Sequence, residues 1–255
     1  MKLILVLFAF GIAARQTWAI EAGPLLIVGG GNVPAEANRQ FVELGGGRKA
    51  RVVVVPFASS LTNAGESAAE ELRSLGAQSV EVLSGTNWTA AHAALKRATA
   101  VWFTGGDQSS LMLRLNELGL VELIREHHGR GLVAGGTSAG AAVMSKLMIA
   151  GWKSGDVPLI GEGLGLWPGA IVDQHFVARG REPRLRLAVQ MHPELLGVGI
   201  DEGTAVLVRG NDFEVLGRST VTVLDARGQR GQLEKIVISA PQKFSLRDAK
   251  KTGSH

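Results

Sequence analysis

The sequence predicts an α/β fold built around a mostly parallel β-sheet. In the first half of the chain, short apolar segments alternate with longer amphipathic segments, which is typical of βαβ units. Beyond residue 198 only short apolar segments recur, which indicates added antiparallel strands. The length of 255 residues, with 45% hydrophobic and 20% charged residues, fits one large domain with a substantial core.

The first half of the chain supplies the alternating elements. The predicted strands are residues 25–28, 51–55, 80–83, 100–103 and 131–134, and the predicted helices are residues 34–44, 64–75, 89–97, 108–118, 120–128 and 139–149. Pro34 suits the first turn of its helix, and Gly76 follows the end of the next one. The β-branched residues of segment 51–55 favour a central strand.

The pattern changes after Gly155. A glycine-rich loop is predicted for residues 161–169, a strand running into a polar turn for 171–176, and a helix for 181–192. Further strands are predicted at residues 198–200, 205–208, 213–215, 221–224 and 235–239, as antiparallel hairpins at the sheet edge. Without repeats or a linker, residues 20–242 form one predicted catalytic domain. The polar, basic residues 243–255 are predicted to be a disordered tail.

The N-terminus has the pattern of a secretory signal peptide. Lys2 precedes an apolar run over residues 3–14, and Ala19 offers a small residue for cleavage. The alternatives are a first core strand or a membrane anchor, but the run is short for a membrane span. We therefore expect residues 1–19 to be removed and the protein to be secreted or periplasmic. No later apolar stretch approaches spanning length, so no membrane association is expected after cleavage.

Composition excludes several classes of function. The net charge of +4 is small, and no aromatic residues are interleaved with the basic ones, so no nucleic-acid partner is expected. The absence of cysteine rules out disulfides, zinc–thiolate sites and cysteine nucleophiles. The triple glycine at residues 29–31 does not spell the dinucleotide fingerprint. No cofactor and no metal are predicted.

Residues 136–140 carry the strongest chemical signal. They read Gly-Thr-Ser-Ala-Gly, follow an apolar strand and open an apolar helix, which is the context of a nucleophile elbow. Small flanking residues permit a tight turn that exposes the Ser138 hydroxyl, and the Ala139 amide could then stabilise an oxyanion. The competing interpretation of Ser138 is a helix cap. With no cysteine as a rival, Ser138 is the predicted nucleophile of a serine hydrolase.

A serine nucleophile needs a base and an acid that orients the base. Of the six histidines, His175 alone ends a predicted strand at the same sheet edge as Ser138. Glu202 follows the strand at 198–200 and is the preferred acid, with three rivals: Asp201, Asp173 and Asp156. The order serine, histidine, acid differs from the usual α/β-hydrolase order and argues for another fold lineage.

Two glycine segments and a cluster of arginines complete the predicted site. Gly105 or Gly106 could supply the second oxyanion amide, Gln108 could orient the substrate, and glycines 29–31 indicate a close approach of backbone to the site. Arg179, Arg181 and Arg184 follow the proposed base. A solvated helix face is the ordinary interpretation of such a run. Because guanidinium groups bind carboxylates in a fork, we instead expect a substrate with free carboxylates.

These segments together resemble peptidase family S51, the family of cyanophycinases and aspartyl dipeptidases. The resemblance covers nearly the whole mature chain. It is carried by residues 29–31, 103–108, 136–141, 173–176 with the three arginines, and 199–205. It implies a flavodoxin-like three-layer sandwich, related to class I glutamine amidotransferases, and commonly a homodimer. It also implies a triad and a substrate pocket, namely Ser138, His175 and Glu202, with Gln108, Asp173, Gln174, Arg179, Arg181 and Arg184 lining the pocket.

The resemblance further implies an exopeptidase that releases β-Asp-Arg dipeptides from multi-L-arginyl-poly-L-aspartate. Two alternatives stay open. One is an exported aspartyl or isoaspartyl dipeptidase that acts on small peptides. The other is a catalytically silent binding module on the same fold, against which the presence of serine, histidine and acid argues. A signal peptide departs from the intracellular members and would suit an enzyme that scavenges polymer released by other cells.

Overall fold

The computed structural model describes residues 21–154, 157–228 and 232–246. The predicted signal peptide lies outside the described residues. The helices are α1 (Ala35–Leu44), α2 (Ala64–Ser74), α3 (Trp88–Arg97), α4 (Gln108–Glu117), α5 (Val121–His128), α6 (Ala139–Ala142) and α7 (Glu182–Met191). A short 3-10 helix covers Gly47–Lys49. None of the described helices is long and apolar enough to cross a membrane.

The strands of the described residues form three sheets. They are β1 (Leu25–Val28), β2 (Arg51–Val55), β3 (Ser79–Val82), β4 (Ala100–Phe103), β5 (Val133–Thr137), β6 (Leu147–Ser154), β7 (Val157–Glu162), β8 (Ala170–Gln174), β9 (Leu196–Ile200), β10 (Thr204–Arg209), β11 (Asp212–Gly217), β12 (Thr220–Asp225), β13 (Glu234–Ser239) and β14 (Lys243–Ser245). The central sheet has the order β14-β11-β10-β1-β5-β4-β2-β3. Strands β1 to β5 are mutually parallel, and β10, β11 and β14 add antiparallel. The predicted mostly parallel sheet with antiparallel C-terminal strands is confirmed.

Helices cover both faces of the central sheet, as expected for a three-layer arrangement. Because side chains alternate along a strand, Leu26 and Val28 of β1 pack with α1 and α2, while Leu25 and Ile27 pack on the opposite face. That opposite face is covered by α3, α4, α5 and α6. The carboxyl ends of β1, β4 and β5 therefore meet at one edge, which is where α/β sheets carry their sites.

The second half of the chain forms a separate sheet, which the sequence did not predict. Strands β13-β12-β9-β8 make a four-stranded sheet in which β8 and β9 are parallel, with Val172 opposite Val198. Placing all these strands at the edge of one sheet was therefore wrong. Both faces of β8 are apolar and buried: Val172 packs toward the central sheet, and Ile171 packs against α7. Strand β8 is therefore covered on one face by the core of the central sheet and on the other by α7.

The predicted helix over residues 139–149 is also wrong beyond its first turn. Helix α6 ends at Ala142, and the apolar residues from Leu147 onward form β6, which pairs with β7 in a two-stranded sheet. A short apolar run fits a helix or a strand equally well. Here the Ser145 hydroxyl accepts a hydrogen bond from the Val172 amide, and the Val143 carbonyl accepts one from Leu164, so tertiary contacts end the helix.

The C-terminal boundary lies further along the chain than predicted. Strand β14 falls inside the segment predicted to be a disordered tail, and it pairs with β11 through Phe244 opposite Phe213. Leu246, the residue after β14, is buried and donates its amide to the Asn211 carbonyl. Phe244 and Leu246 pack against the domain, whereas the basic residues near them in the sequence favoured the prediction of a disordered tail. Residues 247–255 lie outside the described residues.

Candidate active site

Ser138 lies in a strained turn between β5 and α6. Its backbone has φ 53° and ψ −111°, and only Ser138 and His175 have a positive φ among the described non-glycine residues. Such backbone strain is costly and concentrates at functional sites. A Cβ on Gly136 would lie 2.7 Å from the Gly140 backbone, and one on Gly140 would lie 2.3 Å from the Phe103 carbonyl oxygen. The two glycines of the motif are therefore required by packing.

His175 lies in the turn after β8 and reaches across to the central sheet. Its amide donates to the carbonyl of Gly29 at 2.6 Å, and its side chain is buried. The imidazole Nε2 is 2.9 Å from Ser138 Oγ. This is the distance of an ordinary hydrogen bond between a nucleophile and its base.

Glu202 lies in the turn that connects β9 of the second sheet to β10 of the central sheet. Its Oε1 is 2.5 Å from Nδ1 of His175. A carboxylate accepts hydrogen bonds only, so Nδ1 carries the proton. The Nε2 lone pair then faces Ser138 and can accept the hydroxyl proton. The three predicted side chains thus form one continuous hydrogen-bonded chain.

The rival acids occupy other positions. The carboxylate of Asp201 accepts hydrogen bonds from the amides of Val177 and Ala178, at 3.1 and 3.0 Å, and from the Ser219 hydroxyl at 2.7 Å. It therefore fixes the turn that follows His175. Burial acts to raise the pKa of Asp201, but these hydrogen bonds outweigh burial and hold that pKa below its usual value. Asp156 lies outside the described residues.

The triple glycine forms the wall behind the imidazole. Gly30 has φ 105°, and a Cβ there would lie 2.3 Å from Cε1 of His175. A Cβ on Gly31, which has φ 65°, would lie 3.1 Å from Cβ of Glu202. The amide of Gly203 donates to the Gly30 carbonyl. The close approach of backbone predicted for residues 29–31 is therefore observed directly against the base and the acid.

Two loops border Ser138 with unpaired amides. A Cβ on Gly105 would lie 3.9 Å from Ser138 Oγ, so the Gly105 backbone is next to the nucleophile. Within the described part of the chain, the amides of Gly105, Gly106 and Ala139 have no hydrogen-bond acceptor. Gly106 has φ 139°, and its neighbour Asp107 donates its amide to the Ala58 carbonyl, which holds the loop in place. These are the amides predicted to bind an oxyanion.

The charge around His175 favours a neutral imidazole. Burial lowers the pKa of His175 most, and Glu202 acts in the opposite direction by hydrogen bonding to the ring. The nearby cations Arg179 and Arg181 lower the pKa further. A base must be unprotonated to accept a proton, so a lowered pKa keeps His175 competent at neutral pH.

The predicted arginine cluster divides into two kinds of residue. Arg184 is buried and bonded to both carboxylate oxygens of Asp173, with Nε 2.8 Å from Oδ2. Its guanidinium carbon also lies 5.0 Å from the centre of the Trp152 ring. Burial raises the pKa of Asp173, and its pairing with Arg184 opposes that effect. With these partners, a direct contact of Asp173 or Arg184 with substrate stays a prediction.

Arg181 and Arg179 are more exposed than Arg184. Nη1 of Arg181 donates to the backbone and side-chain oxygens of Gln174, both at 2.7 Å. Burial, followed by the charge of Arg184, lowers the pKa of Arg181 to about 10. Arg179 is exposed and has no ion-pair partner within the described segments. It is therefore the cation most available to a ligand carboxylate.

Comparison with known proteins identifies the family. The sequence profile of peptidase family S51 matches residues 25–216. The cyanophycinase of Geminocystis herdmanii is 37% identical over 219 residues, covering 80% of each chain. The cyanophycinase of Trichormus variabilis is 39% identical over 217 residues, covering 79% of this chain and 73% of its own.

The chain belongs to peptidase family S51. This membership makes it a serine-type peptidase. A solved peptidase from an acI-B1 actinobacterium has the same fold, with a TM-score of 0.71 at 23% identity, covering 89% of this chain and 98% of that one.

The hairpin β6–β7 is the element beside the site of this S51 peptidase that the sequence did not predict. The side chain of Gln108, predicted to orient substrate, donates instead to the carbonyls of Ile149 and Ala150 at 2.9 and 3.3 Å. Trp152, further along β6, covers Arg184. Gln108 and Arg184 thus tie the hairpin to the site. A contact of Gln108 with substrate stays a prediction, as it does for the buried Gln174.

No group of three or more acidic or histidine side chains in the described ranges could hold a metal ion. The chemical groups of the site are the hydrogen-bonded side chains of Ser138, His175 and Glu202, the unpaired amides and the arginine side chains.

Proposed function

We propose that this S51 peptidase hydrolyses cyanophycin, multi-L-arginyl-poly-L-aspartate, to β-Asp-Arg dipeptides as an exopeptidase. The observation that carries the proposal is the chain Ser138 Oγ–His175 Nε2 at 2.9 Å and His175 Nδ1–Glu202 Oε1 at 2.5 Å, beside the exposed cation of Arg179. The choice of cyanophycin as the substrate is inferred from the relatives, because the proteins of Geminocystis herdmanii and Trichormus variabilis are cyanophycinases.

The proposed mechanism is acyl transfer. His175 takes the proton of Ser138 as Oγ attacks the carbonyl carbon of an aspartyl unit, and Glu202 stabilises the imidazolium that forms. His175 then gives this proton to the leaving amine as the C–N bond breaks. Water, deprotonated by His175, attacks the acyl-enzyme, and its breakdown returns the proton to Ser138.

The oxyanion is proposed to rest on the amides of Ala139 and of Gly105 or Gly106. These amides have no hydrogen-bond acceptor in the described ranges, and the Gly105 backbone borders Ser138, so they are free to donate to a developing oxyanion. Helix α6 has a single turn, so its dipole adds less than a longer helix would. The individual hydrogen bonds are therefore proposed to supply most of the stabilisation.

The substrate carboxylate is proposed to lie against Arg179 and Arg181. Arg179 is exposed beside His175, and Arg181 is the next cation inward. Guanidinium groups hold carboxylates in two-point contacts, which fixes the position of an aspartyl unit better than a lysine would. Asp173, Gln174, Gln108 and Arg184 are proposed to support this subsite from behind.

The proposal is tested by incubating the purified chain with insoluble cyanophycin, β-Asp-Arg, β-Asp-Leu and α-aspartyl peptides. We expect the polymer to dissolve and β-Asp-Arg to accumulate, and Ser138→Ala to abolish this. If small aspartyl peptides are cut while the polymer stays insoluble, the chain is an aspartyl dipeptidase. If no substrate is cut by the intact protein, the alternative of a catalytically silent binding module stands.

We also propose that the protein is exported. The basic start, the apolar run over residues 3–14 and Ala19 support a cleaved signal peptide. Expression of the full chain followed by fractionation, with N-terminal sequencing of the product, tests this proposal. A product beginning at Met1 in the cytoplasmic fraction would contradict it.

A homodimer is proposed from the resemblance to the family. The hairpin β6–β7 carries partly exposed apolar side chains, among them Trp152 and Leu159, which are the kind of residue found at subunit contacts. Sedimentation equilibrium on the purified chain would give the mass of two chains. The mass of one chain at all concentrations would contradict the proposal.

A further inference from the structure

The turn that begins with His175 is held by a carboxylate from the end of the neighbouring strand. Over residues 175–181, five of the seven backbone amides donate to backbone carbonyls. The two others, those of Val177 and Ala178, donate to Oδ1 of Asp201 at 3.1 and 3.0 Å. One side-chain oxygen therefore completes the hydrogen bonding of the turn.

This turn needs support because His175 has a backbone conformation that is unfavourable in itself. Its φ is 48°, and a residue with a side chain keeps such a conformation only where the surrounding structure enforces it. Packing enforces it from β9, where a Cβ on Gly199 would lie 2.4 Å from the ring of Phe176. Asp201 follows the same strand and provides the polar part of this support.

The second oxygen of Asp201 is also held in place. The Ser219 hydroxyl donates to Oδ2 at 2.7 Å, and the Ser219 amide donates to Oγ1 of Thr204 at 2.9 Å. The side chain of Asp201 is buried. With both oxygens bonded, the carboxylate cannot rotate freely, so Oδ1 stays directed at the turn.

The same segment of backbone carries the proposed acid. Glu202 directly follows Asp201, and its side chain is 42% exposed, so water competes for its carboxylate. Its alignment with His175 therefore depends on how the backbone at residues 201–203 is placed. The Gly203 amide fixes one end of this segment by donating to the Gly30 carbonyl. At the other end, the Asp201 side chain joins the segment to the turn of the base.

We propose that Asp201, held by Ser219, is a positioning residue that keeps the imidazole of His175 aligned with the carboxylate of Glu202. The proposal rests on the proposed function in one respect, that His175 is the base and Glu202 its acid. It assigns Asp201 no contact with substrate. Alignment requires an acceptor oxygen at this position, whereas a purely electrostatic role would require the negative charge.

The first experiment compares Asp201→Ala with Asp201→Asn on cyanophycin. Both variants lack the charge, but the Asn oxygen can still accept both amides, while its Nδ2 can donate to the Ser219 oxygen. We expect Asp201→Ala to lower kcat about 100-fold, because small displacements of a catalytic group are costly. Asp201→Asn should stay within about fivefold of the wild type, since Asn and Asp are similar acceptors of backbone amides. Equal losses in the two variants would overturn the positioning role.

Two further variants control this experiment. Asp225 is a buried carboxylate in β12 of the same sheet, opposite Leu196 at the far end of β9, and it accepts the amide and guanidinium of Arg227. Asp225→Ala should therefore lower stability and leave kcat unchanged. If it lowers kcat as much as Asp201→Ala does, the effect is general destabilisation and the proposal is wrong.

Ser219→Ala is the milder variant, which keeps the comparison usable if Asp201→Ala does not fold. It removes only the partner of Oδ2 and should lower kcat about tenfold. A wild-type kcat in Ser219→Ala would overturn the role assigned to Ser219.

The second experiment needs no turnover and separates this proposal from the proposed function. The pKa of His175 is measured by NMR titration of its Cε1 proton in the substrate-free variants. The hydrogen bond from Glu202 raises that pKa, and Glu202→Gln gives the value without it. Because the two Asp201 variants have equal charge, a lower pKa in Asp201→Ala than in Asp201→Asn would report lost alignment.

Equal pKa values in the two variants would overturn the positioning role. If the wild type hydrolyses no aspartyl substrate, the proposed function fails while the titration still decides the role of Asp201. If the wild type is active and the two variants agree in rate and in pKa, the positioning role fails and the proposed function stands.

Discussion

The imidazole of His175 packs so closely against Gly30 that no side-chain carbon could lie between them. A Cβ on Gly30 would lie 2.3 Å from Cε1 and 2.4 Å from Nε2 of the imidazole. The same Nε2 is 2.9 Å from Ser138 Oγ. The glycine therefore determines how closely the base can be held against the backbone behind it.

Gly30→Ala should displace the imidazole and lower kcat/KM at least about 100-fold, because small errors in the position of a catalytic group are costly. Gly47→Ala is the matched control: Gly47 also has a positive φ, at 58°, but a Cβ there meets nothing within 4 Å. It should lose about 1 kcal/mol of stability and no activity. Steady-state kinetics and denaturant unfolding of both variants make the comparison. Equal activities would show that the contact is unimportant.

The strained turn at Ser138 predicts a trade-off between stability and activity. Both Ser138→Ala and Ser138→Gly should reduce kcat at least about 10³-fold. Glycine accepts a positive φ that alanine does not, so Ser138→Gly should be about 1 kcal/mol more stable than Ser138→Ala. Urea denaturation measures the difference. An identical unfolding midpoint for the two variants would argue against strain at this position.

Arg179 should affect the pH dependence of catalysis. Its positive charge disfavours the imidazolium and lowers the pKa of His175. Arg179→Gln should therefore raise that pKa, so that kcat/KM begins to fall at a higher pH when the solution is acidified. The measurement is the acid limb of the pH–rate profile at low ionic strength. Arg48→Gln, at an exposed position before β2, removes an equal charge and should leave the profile unchanged.

Arg184 should behave as a structural residue, unlike Arg179. Arg184→Met leaves the buried carboxylate of Asp173 with only the longer ion pair to Arg181, at 3.7 Å, and should cost about 3 kcal/mol of stability. The double variant Asp173→Leu with Arg184→Met removes both charges and should recover most of that loss. Thermal and denaturant unfolding test both statements. A single variant as stable as the wild type would contradict the structural role.

Asp201 should make stability depend on pH. Because its folded-state pKa is lowered, its contribution is fully present above the pKa of the unfolded chain and is lost as pH falls through the folded value. Asp201→Asn should cost about 1–3 kcal/mol at pH 7 and flatten the fall in stability below about pH 4. Denaturant midpoints measured from pH 7 to pH 3 decide this. A parallel pair of curves would exclude Asp201 as a source of acid sensitivity.

Local sequence patterns predicted the first half of the fold well. The strands and helices up to α5 follow from alternation and from positions such as Pro34, since each element there packs against its neighbours in the chain. The proximity of Ser138, His175 and Glu202 was predicted because each follows a strand, and strand ends meet at one edge. The inference assumed a single sheet, whereas β8 belongs to the second sheet, and the turn after β8 meets the edge of the central sheet through the hydrogen bond from the His175 amide to the Gly29 carbonyl.

The second half was harder to predict because its structure depends on distant contacts. The residues from Leu147 onward are as apolar as a helix interior, and only pairing with β7 makes them a strand. Gln108 and Arg184 were assigned to the substrate pocket because the hairpin β6–β7 was not predicted. This hairpin supplies the carbonyl partners of Gln108 and the aromatic partner of Arg184.

The proposed triad is divided between the two sheets. Ser138 follows a central strand, His175 follows a strand of the second sheet, and Glu202 lies in the connection between the sheets. Neither sheet by itself contains the nucleophile and the base, which are joined only when the sheets are in contact. Regain of hydrolysis after dilution from denaturant therefore reports the docking of two β-layers.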